Sequence, residues 1–358
     1  MGWFAVFGSG HSWSDPQVLL TAGVSDSDGL LVRGTIMLEF QLPESARPEP
    51  LLLYSQCGDW PLRLALQAVP GGGLSFVLEQ SGSVLHQTLN PTSLGRTGRL
   101  RLLYAWDAPA RTGRLTLEQP DGSQMQIAAL AGPKPWRLRD LQALTGPLGY
   151  VAPAVEYVAF SSCMEPAGPA PALLPSTPIA TPEGYSALNG LQRGDLVLTS
   201  NGEAVPVLHV IERQVPALGS FAPVRLRAPY FGLQRDIHVA PFQRLVLSGS
   251  EVEYLFGQPA VLVPAGNLLG TGTALPGAPG SSPLITYCQA VLPDHEPLLA
   301  AGAMTESLFL GRLRRDLQRL AASLLAPLGA AALPEHRQPK FPVLRAFDAA
   351  VLAERRTA

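Results

Sequence analysis

The stretch Pro175-Ser176-Thr177-Pro178-Ile179-Ala180-Thr181-Pro182-Glu183-Gly184 is followed by Leu191-Gln192-Arg193-Gly194-Asp195-Leu196-Val197-Leu198-Thr199 and then Asn201-Gly202. Its local chemistry reads as a strand over Pro178–Thr181, a turn at Pro182–Gly184 and a tight corner at Gly194-Asp195. A second strand and an Asn-Gly hairpin follow. Three further blocks continue the β pattern: Pro223-Val-Arg-Leu-Arg227, Arg235-Asp-Ile-His-Val-Ala-Pro-Phe-Gln-Arg-Leu-Val-Leu247 and Val261-Leu-Val-Pro264. A last block contains Asp294-His295-Glu296, Ala301-Gly302 and Thr305-Glu306-Ser307.

Upstream, residues 163–178 (CMEPAGPAPALLPSTP) are rich in Pro and small residues and nearly free of charge, which reads as a linker. Before it, period-2 alternation recurs. Ile36, Leu38, Phe40 and Leu42 alternate with Thr35, Met37, Glu39 and Gln41, and Leu62, Leu64 and Leu66 with Arg63, Ala65 and Gln67. Further strands are expected at Leu74–Glu79, Ser83–Leu89, Leu100–Trp106, Arg114–Glu118, Gln124–Leu130 and Ala154–Ser161. Turn chemistry separates them at Pro70-Gly71-Gly72-Gly73, Ser81-Gly82, Arg111-Thr112-Gly113 and Pro120-Asp121-Gly122. The expected architecture is mostly β, opening with an antiparallel sandwich or jelly roll. Downstream, Arg312–Leu328 carries Leu313, Leu317, Leu320, Leu324 and Leu328 at helical spacing, so an amphipathic helix ended by Gly329 and Pro334 is expected there.

Composition agrees. The 358 residues suit about two domains. A hydrophobic share of 46% with 15% charged residues excludes a disordered polar chain. Gly 35 and Pro 35 are tolerated far better by short strands and turns than by long helices. A net charge of −2 argues against a nucleic-acid partner, because phosphate binding needs a concentrated basic face. Cys57, Cys163 and Cys288 lie far apart with no CxxC pair, so neither a zinc site nor a disulfide framework is expected, and no cofactor or metal is implied. The start, MGWFAVFGSGHSW, lacks a basic leader, and no apolar run reaches the length of a membrane span. The expected location is cytoplasmic, or exported without a classical signal peptide.

The stretch from 172 onward resembles the opening of the Hint module, the fold shared by inteins and hedgehog autoprocessing domains. Its bacterial members open with C-F-T-P-G-T-x-I-x-T-P-x-G and continue L-x-x-G-D-x-V-x-T-x-D-G. The later blocks occur in the family's order, and the resemblance spans roughly 172–310. More weakly, the strand order over about 15–162 resembles concanavalin-A-like and laminin-G-like sandwiches. The expected division is then a lectin-like sandwich over 1–163, the Pro-rich linker and start of Hint over 164–178, a Hint-like domain over 172–311 and a helix and tail over 312–358.

The Hint resemblance implies a chemistry that can be checked residue by residue. A first-residue thiol or hydroxyl attacks the preceding carbonyl, a middle-block His assists departure of the amide nitrogen, and nearby donors stabilise the oxyanion. Placing Pro175, Thr177, Ile179, Thr181, Pro182 and Gly184 on the family's opening puts Ala172 at the nucleophile. Leu173 and Leu174 then stand where Phe and Thr are usual. Alanine has no lone pair to offer. Aligning Val239-Ala-Pro-Phe-Gln-Arg244 on V-S-P-x-H-R puts Gln243 at the middle-block His, and glutamine shuttles no proton near neutral pH. Thr177 keeps an ordinary family position, and His295 matches the closing-block His. A deliberate Cys-to-Ala replacement would account for Ala172 but not for Gln243, Leu173 and Leu174.

The sequence therefore leaves two functional readings. One is a Hint protein whose autoprocessing is lost, binding an unknown glycan or protein through its sandwich. The other is a self-cleaving precursor with a displaced nucleophile in the linker, for which Cys163 upstream and Ser176 and Thr177 near the expected site are the candidate groups. His238 stands five residues before Gln243, an odd separation that would place them on opposite faces of one strand. Asp195 reads as a turn residue, and Asp26-Ser27-Asp28-Gly29 as a turn rather than a calcium loop. Trp3, Trp13, Trp60, Trp106 and Trp136 are either core residues or part of a sugar-stacking platform.

Overall fold

The computed structural model describes residues 2–8, 10–43, 45–90, 98–277 and 282–356. The chain divides into two compact units, Met1–Gly168 and Pro169–Ala358. Both are built from antiparallel strands.

In the first unit the alternation seen in the sequence becomes two facing sheets. One has seven strands, in the order Met125–Ala131, Thr112–Glu118, Arg99–Asp107, Arg33–Gln41, Val155–Ser161, Trp3–Gly8 and His11–Ser14. The other has five, in the order Gly149–Val151, Glu49–Gln56, Leu62–Val69, Gly73–Gln80 and Ser83–Leu89. Register places Ile36 opposite Tyr104, Leu38 opposite Leu102 and Phe40 opposite Leu100. These side chains share one core with Leu64, Leu66, Phe76 and Leu78 of the second sheet. The Ser81-Gly82 hairpin has the two successive positive φ values, 45° and 78°, that a tight right-twisting loop requires.

Three of the five tryptophans, Trp3, Trp106 and Trp136, are buried, and two of them, Trp106 and Trp136, belong to this core. Tyr104 stacks on Trp106 with ring centroids 5.5 Å apart. The Trp106 indole N–H donates to the Leu31 carbonyl at 3.1 Å. Gly34 makes room for that ring: a Cβ there would stand 2.6 Å from it. Trp13 and Trp60 are part-exposed.

The alternate positions of the seven-stranded sheet do not face water as simple amphipathic alternation predicts. Glu39, Arg101 and Glu118 are fully buried. Arg101 resolves the cost by pairing with Glu118 Oε1 at 2.7 Å and Glu39 Oε2 at 3.3 Å. The residues after the last strand run over this face: Glu165 N–H donates to Thr35 Oγ1, and Gly168 N–H to Glu118 Oε2 at 2.7 Å. The Pro-rich stretch is thus buried at Glu165, Ala167, Ala170 and Ala172, unlike a solvated tether.

The second unit centres on a six-stranded sheet ordered Gly184–Ala187, Pro178–Thr181, Pro297–Ala300, Ala303–Glu306, Arg244–Ser248 and Ala260–Pro264. His209–Pro216 pairs with Leu284–Val291 along eight residues. Ile237–Val239, Val224–Leu226 and Ala274–Pro276 form a three-stranded sheet, and Leu196–Leu198 pairs with Ala204–Pro206 across the Asn201-Gly202 turn. Leu173, Ile179, Val239, Leu245, Val263 and Cys288 lie in one core.

The helix expected over Arg312–Leu328 is broken into pieces. Turns at Leu313–Arg315 and Ala326–Leu328 flank a six-residue helix, Leu317–Ala322. Asp316 takes an extended conformation and caps the Arg319 N–H, which restarts the helix, and Ser323 returns to the extended region and ends it. Leu313, Leu320 and Leu325 still pack on Ile211 and Val291, whereas Leu317 is exposed. The longer helix, Ala346–Arg355, lies beyond that segment and buries Ala349, Leu352 and Ala353 in the main core of the unit.

Candidate functional site

The site is assembled around Ala172. The chain enters the second unit by a backbone pairing: Leu173 exchanges hydrogen bonds with Cys288 (3.2 and 2.7 Å), and the Ala172 carbonyl accepts from the Ala240 N–H at 2.7 Å. Ala172 is therefore held between the strand Leu284–Val291 and the end of Ile237–Val239. Both it and the preceding Pro171 are buried.

The Ala172 N–H, the amide nitrogen of the Pro171–Ala172 bond, donates to Gln289 Oε1 at 3.1 Å. Gln289 Nε2 in turn donates to Gln243 Oε1 at 3.3 Å and to the Glu306 carbonyl at 2.7 Å. Gln243 Nε2 donates to the same carbonyl at 3.1 Å and to the Arg244 carbonyl at 3.0 Å. Two buried amides, each with its carbonyl and amino ends engaged, thus fill the space beside the junction. The Glu306 carboxylate extends the chain of contacts, with Oε1 3.2 Å from Arg244 Nη1 and 3.1 Å from His295 Nε2. His295 Nδ1 accepts the Lys340 N–H at 3.2 Å.

Of the residues singled out in the sequence, Ala172, Gln243 and His295 are joined through this network. Thr177 is not: its N–H donates to the Leu174 carbonyl and its own carbonyl accepts from Leu188. Two members escaped the sequence reading. Glu306 lies in the closing block, with nothing in the sequence to mark it as the hub between Arg244 and His295. Gln289 follows a buried Cys in a strand and belongs to no motif. The notion that His238 and Gln243 share a strand fails, since His238 lies in Ile237–Val239 and Gln243 precedes Arg244–Ser248 in another sheet. Burial, followed by the charge of the facing Arg225, lowers the pKa of His238.

Neither Cys288 nor Cys163 offers a ready substitute. Cys288 borders the site, but burial, then the charge of Glu212, pushes its pKa up to about 12. Cys163 sits in the first unit, bonded to Ser161 Oγ and Glu165 Oε1 at 3.3 Å each. Burial and the Glu165 charge raise it to about 11. A thiol so shifted is overwhelmingly protonated at neutral pH and nucleophilically weak. Asp195 accepts the Gln192 N–H at 2.8 Å, a turn role, and Asp28 pairs with Arg139 at 2.7 Å. Among the described residues no group of three or more His, Cys, Asp or Glu is placed to hold a metal, and no helix is long and apolar enough to cross a membrane.

The family model described as Hint domain matches residues 171–312. The chain carries a Hint domain. The match begins one residue before Ala172 and ends just after the block containing Glu306. Among solved structures, the chain is similar to the gp41-1 intein (14% identity, 37% of this chain and 96% of that one, TM-score 0.23). It is also similar to the MchDnaB-1 intein (14% identity, 37% and 98%, TM-score 0.25). A third is the Ruminococcus gnavus IT-sialidase CBM40, at 16% identity and TM-score 0.24. There the likeness covers 36% of this chain and 63%, less than two thirds, of the other. No curated protein sequence matches the chain.

Proposed function

We propose that this is a Hint protein that has lost autoprocessing and acts as a binding or scaffold protein through its β-sandwich. One observation carries the first half: where the reaction needs a nucleophile and a proton donor beside the junction amide, a methyl group and two interlocked glutamine amides fill the place. An acyl shift must form a bond from residue 172 to the Pro171 carbonyl carbon and deliver a proton to the departing nitrogen. Ala172 can do neither, and a glutamine amide exchanges no proton in the physiological range.

The binding half rests on the outer face of the five-stranded sheet. Tyr150, Leu53, Ala65, Val77 and His86 lie in one cross-strand row. Tyr150 and His86 at its ends are exposed, and the neutral Ser75 and Thr88 face each other beside it. An exposed aromatic ring at one end of the row and hydroxyls near the other offer the two kinds of contact that a glycan can use, an apolar face and hydrogen bonds to its hydroxyls. The full chain is expected to bind a restricted set of glycans on an array, and Tyr150→Ala to weaken that binding at least tenfold. An array without selective binding, or binding indifferent to Y150A, would overturn the glycan reading of this face.

A further inference from the structure

Beyond the Hint match the chain folds back over the block that ends it. Leu333 is buried among Leu310, Leu313 and Leu325. At the other side, Pro342 and Leu344 pair with Leu262 (2.8 Å each), and the helix Ala346–Arg355 is sunk in the core. Between these anchors, residues 334–341 cross His295 and Phe309.

What holds this crossing is unusual in one respect: at two points an imidazole nitrogen accepts a backbone N–H. His336 Nδ1 accepts from Leu310 at 3.2 Å while its Nε2 donates to the Leu292 carbonyl at 3.2 Å. His295 Nδ1 accepts from Lys340 at 3.2 Å. The two rings are 5.7 Å apart, and His295 meets Phe309 edge-on at 5.0 Å. An Nδ1 that accepts carries no proton, so the His336 ring, whose Nε2 donates, is neutral in this arrangement. Protonating His336 sets its Nδ1–H against the Leu310 N–H and places a charge inside this buried cluster.

We propose that residues 334–341 are a strap latched by neutral His336 and released by mild acid, exposing His295 and the closing block. The inference is independent of the loss of autoprocessing. The charges around the latch are all in place. His295 faces the Glu306 carboxylate, itself bound to Arg244, and Lys340 pairs with Glu296. His336 lies near Asp294, Glu306 and His295. Glu335 pairs at the surface with Arg315 at 2.8 Å and more distantly with Arg312. Burial holds His336 below its ordinary value near 6.5, with the repulsion of His295 in the same direction and the Leu292 hydrogen bond, Asp294 and Glu306 opposing. The sign follows. A histidine depressed in the folded state contributes stability that is present above its unfolded value and lost as the pH falls through the folded one. Carboxyl groups ordinarily titrate below that window.

The test is hydrogen exchange of the full-length protein at pH 7.5 and 5.0, corrected for the intrinsic pH dependence of exchange. Peptides containing Leu310 and Lys340 are expected to lose protection at least tenfold at pH 5.0, while those covering 260–264 and 346–355 keep theirs. His336→Asn retains an acceptor for the Leu310 N–H but cannot titrate, and is expected to stay protected at both pH values. Unchanged wild-type protection at pH 5.0 overturns the proposal, and that readout needs no variant to fold. Uniform loss across all peptides, or H336N opening as the wild type does, also overturns it.

Discussion

Arg101→Ala is expected to destabilise the first unit by about 3–5 kcal/mol, the range for removing one partner of a buried ion pair. Arg101, Glu39 and Glu118 are all fully buried, with Arg101 between the two carboxylates. Truncation removes the guanidinium between two buried carboxylates, Glu39 keeping Arg99 at 3.6 Å, in a site closed by Pro120 and Gly168. For a unit of this size that loss lowers Tm by roughly 10 °C or more. Calorimetry of the intact chain checks it, with the transition of the second unit unmoved. A change under about 1 kcal/mol would mean that the three charges are solvated and that residues 163–168 do not seal this face.

The second large effect concerns the junction. If Ala172 and Gln243 are the two missing parts, restoring both restores the first chemical step. In the double variant Ala172→Cys/Gln243→His, the introduced thiol sulfur bonds to the Pro171 carbonyl carbon and the amide between residues 171 and 172 breaks. The introduced imidazole delivers a proton to the departing nitrogen. The product is a thioester that added thiol or hydroxylamine cleaves. A positioned general acid contributes about 10²–10⁴-fold, so the double variant is expected to cleave at least ~100-fold faster than Ala172→Cys alone. Intact mass after hydroxylamine measures both. Equal rates would show that Gln243 does not occupy the proton donor's place, and no cleavage in either would show that more than these two groups is missing.

How much of this was legible in sequence depended on how local the cause was. Strand positions in the first half followed from alternation and from turns such as Ser81-Gly82, whose chemistry is set by neighbours in the chain. The opening Hint strand, Pro178–Thr181, was found with its observed bounds because proline and glycine punctuate it. The helix over 312–328 was misread because spacing of leucines registers amphipathicity but not the competing cap at Asp316. The burial of Glu39 and Arg101 was also hidden. Two strands supply the pair, and only register brings them opposite. The candidate site divides the same way. Ala172 and Gln243 were placed by motif position, whereas Gln289 acts through a side chain whose partners come from separate segments of the chain. His336 had no motif at all, and only the folded chain sets it against His295.

The most direct test of the central claim is the intact mass of the unaltered protein, taken fresh and after a day with and without thiol or hydroxylamine. A Hint domain whose junction holds Ala172 within a closed glutamine network predicts one unchanged species at the mass of the full chain under every condition. Two fragments meeting between Cys163 and Thr177 would contradict it, and the new N-terminal residue would name the nucleophile that the geometry around Ala172 does not contain.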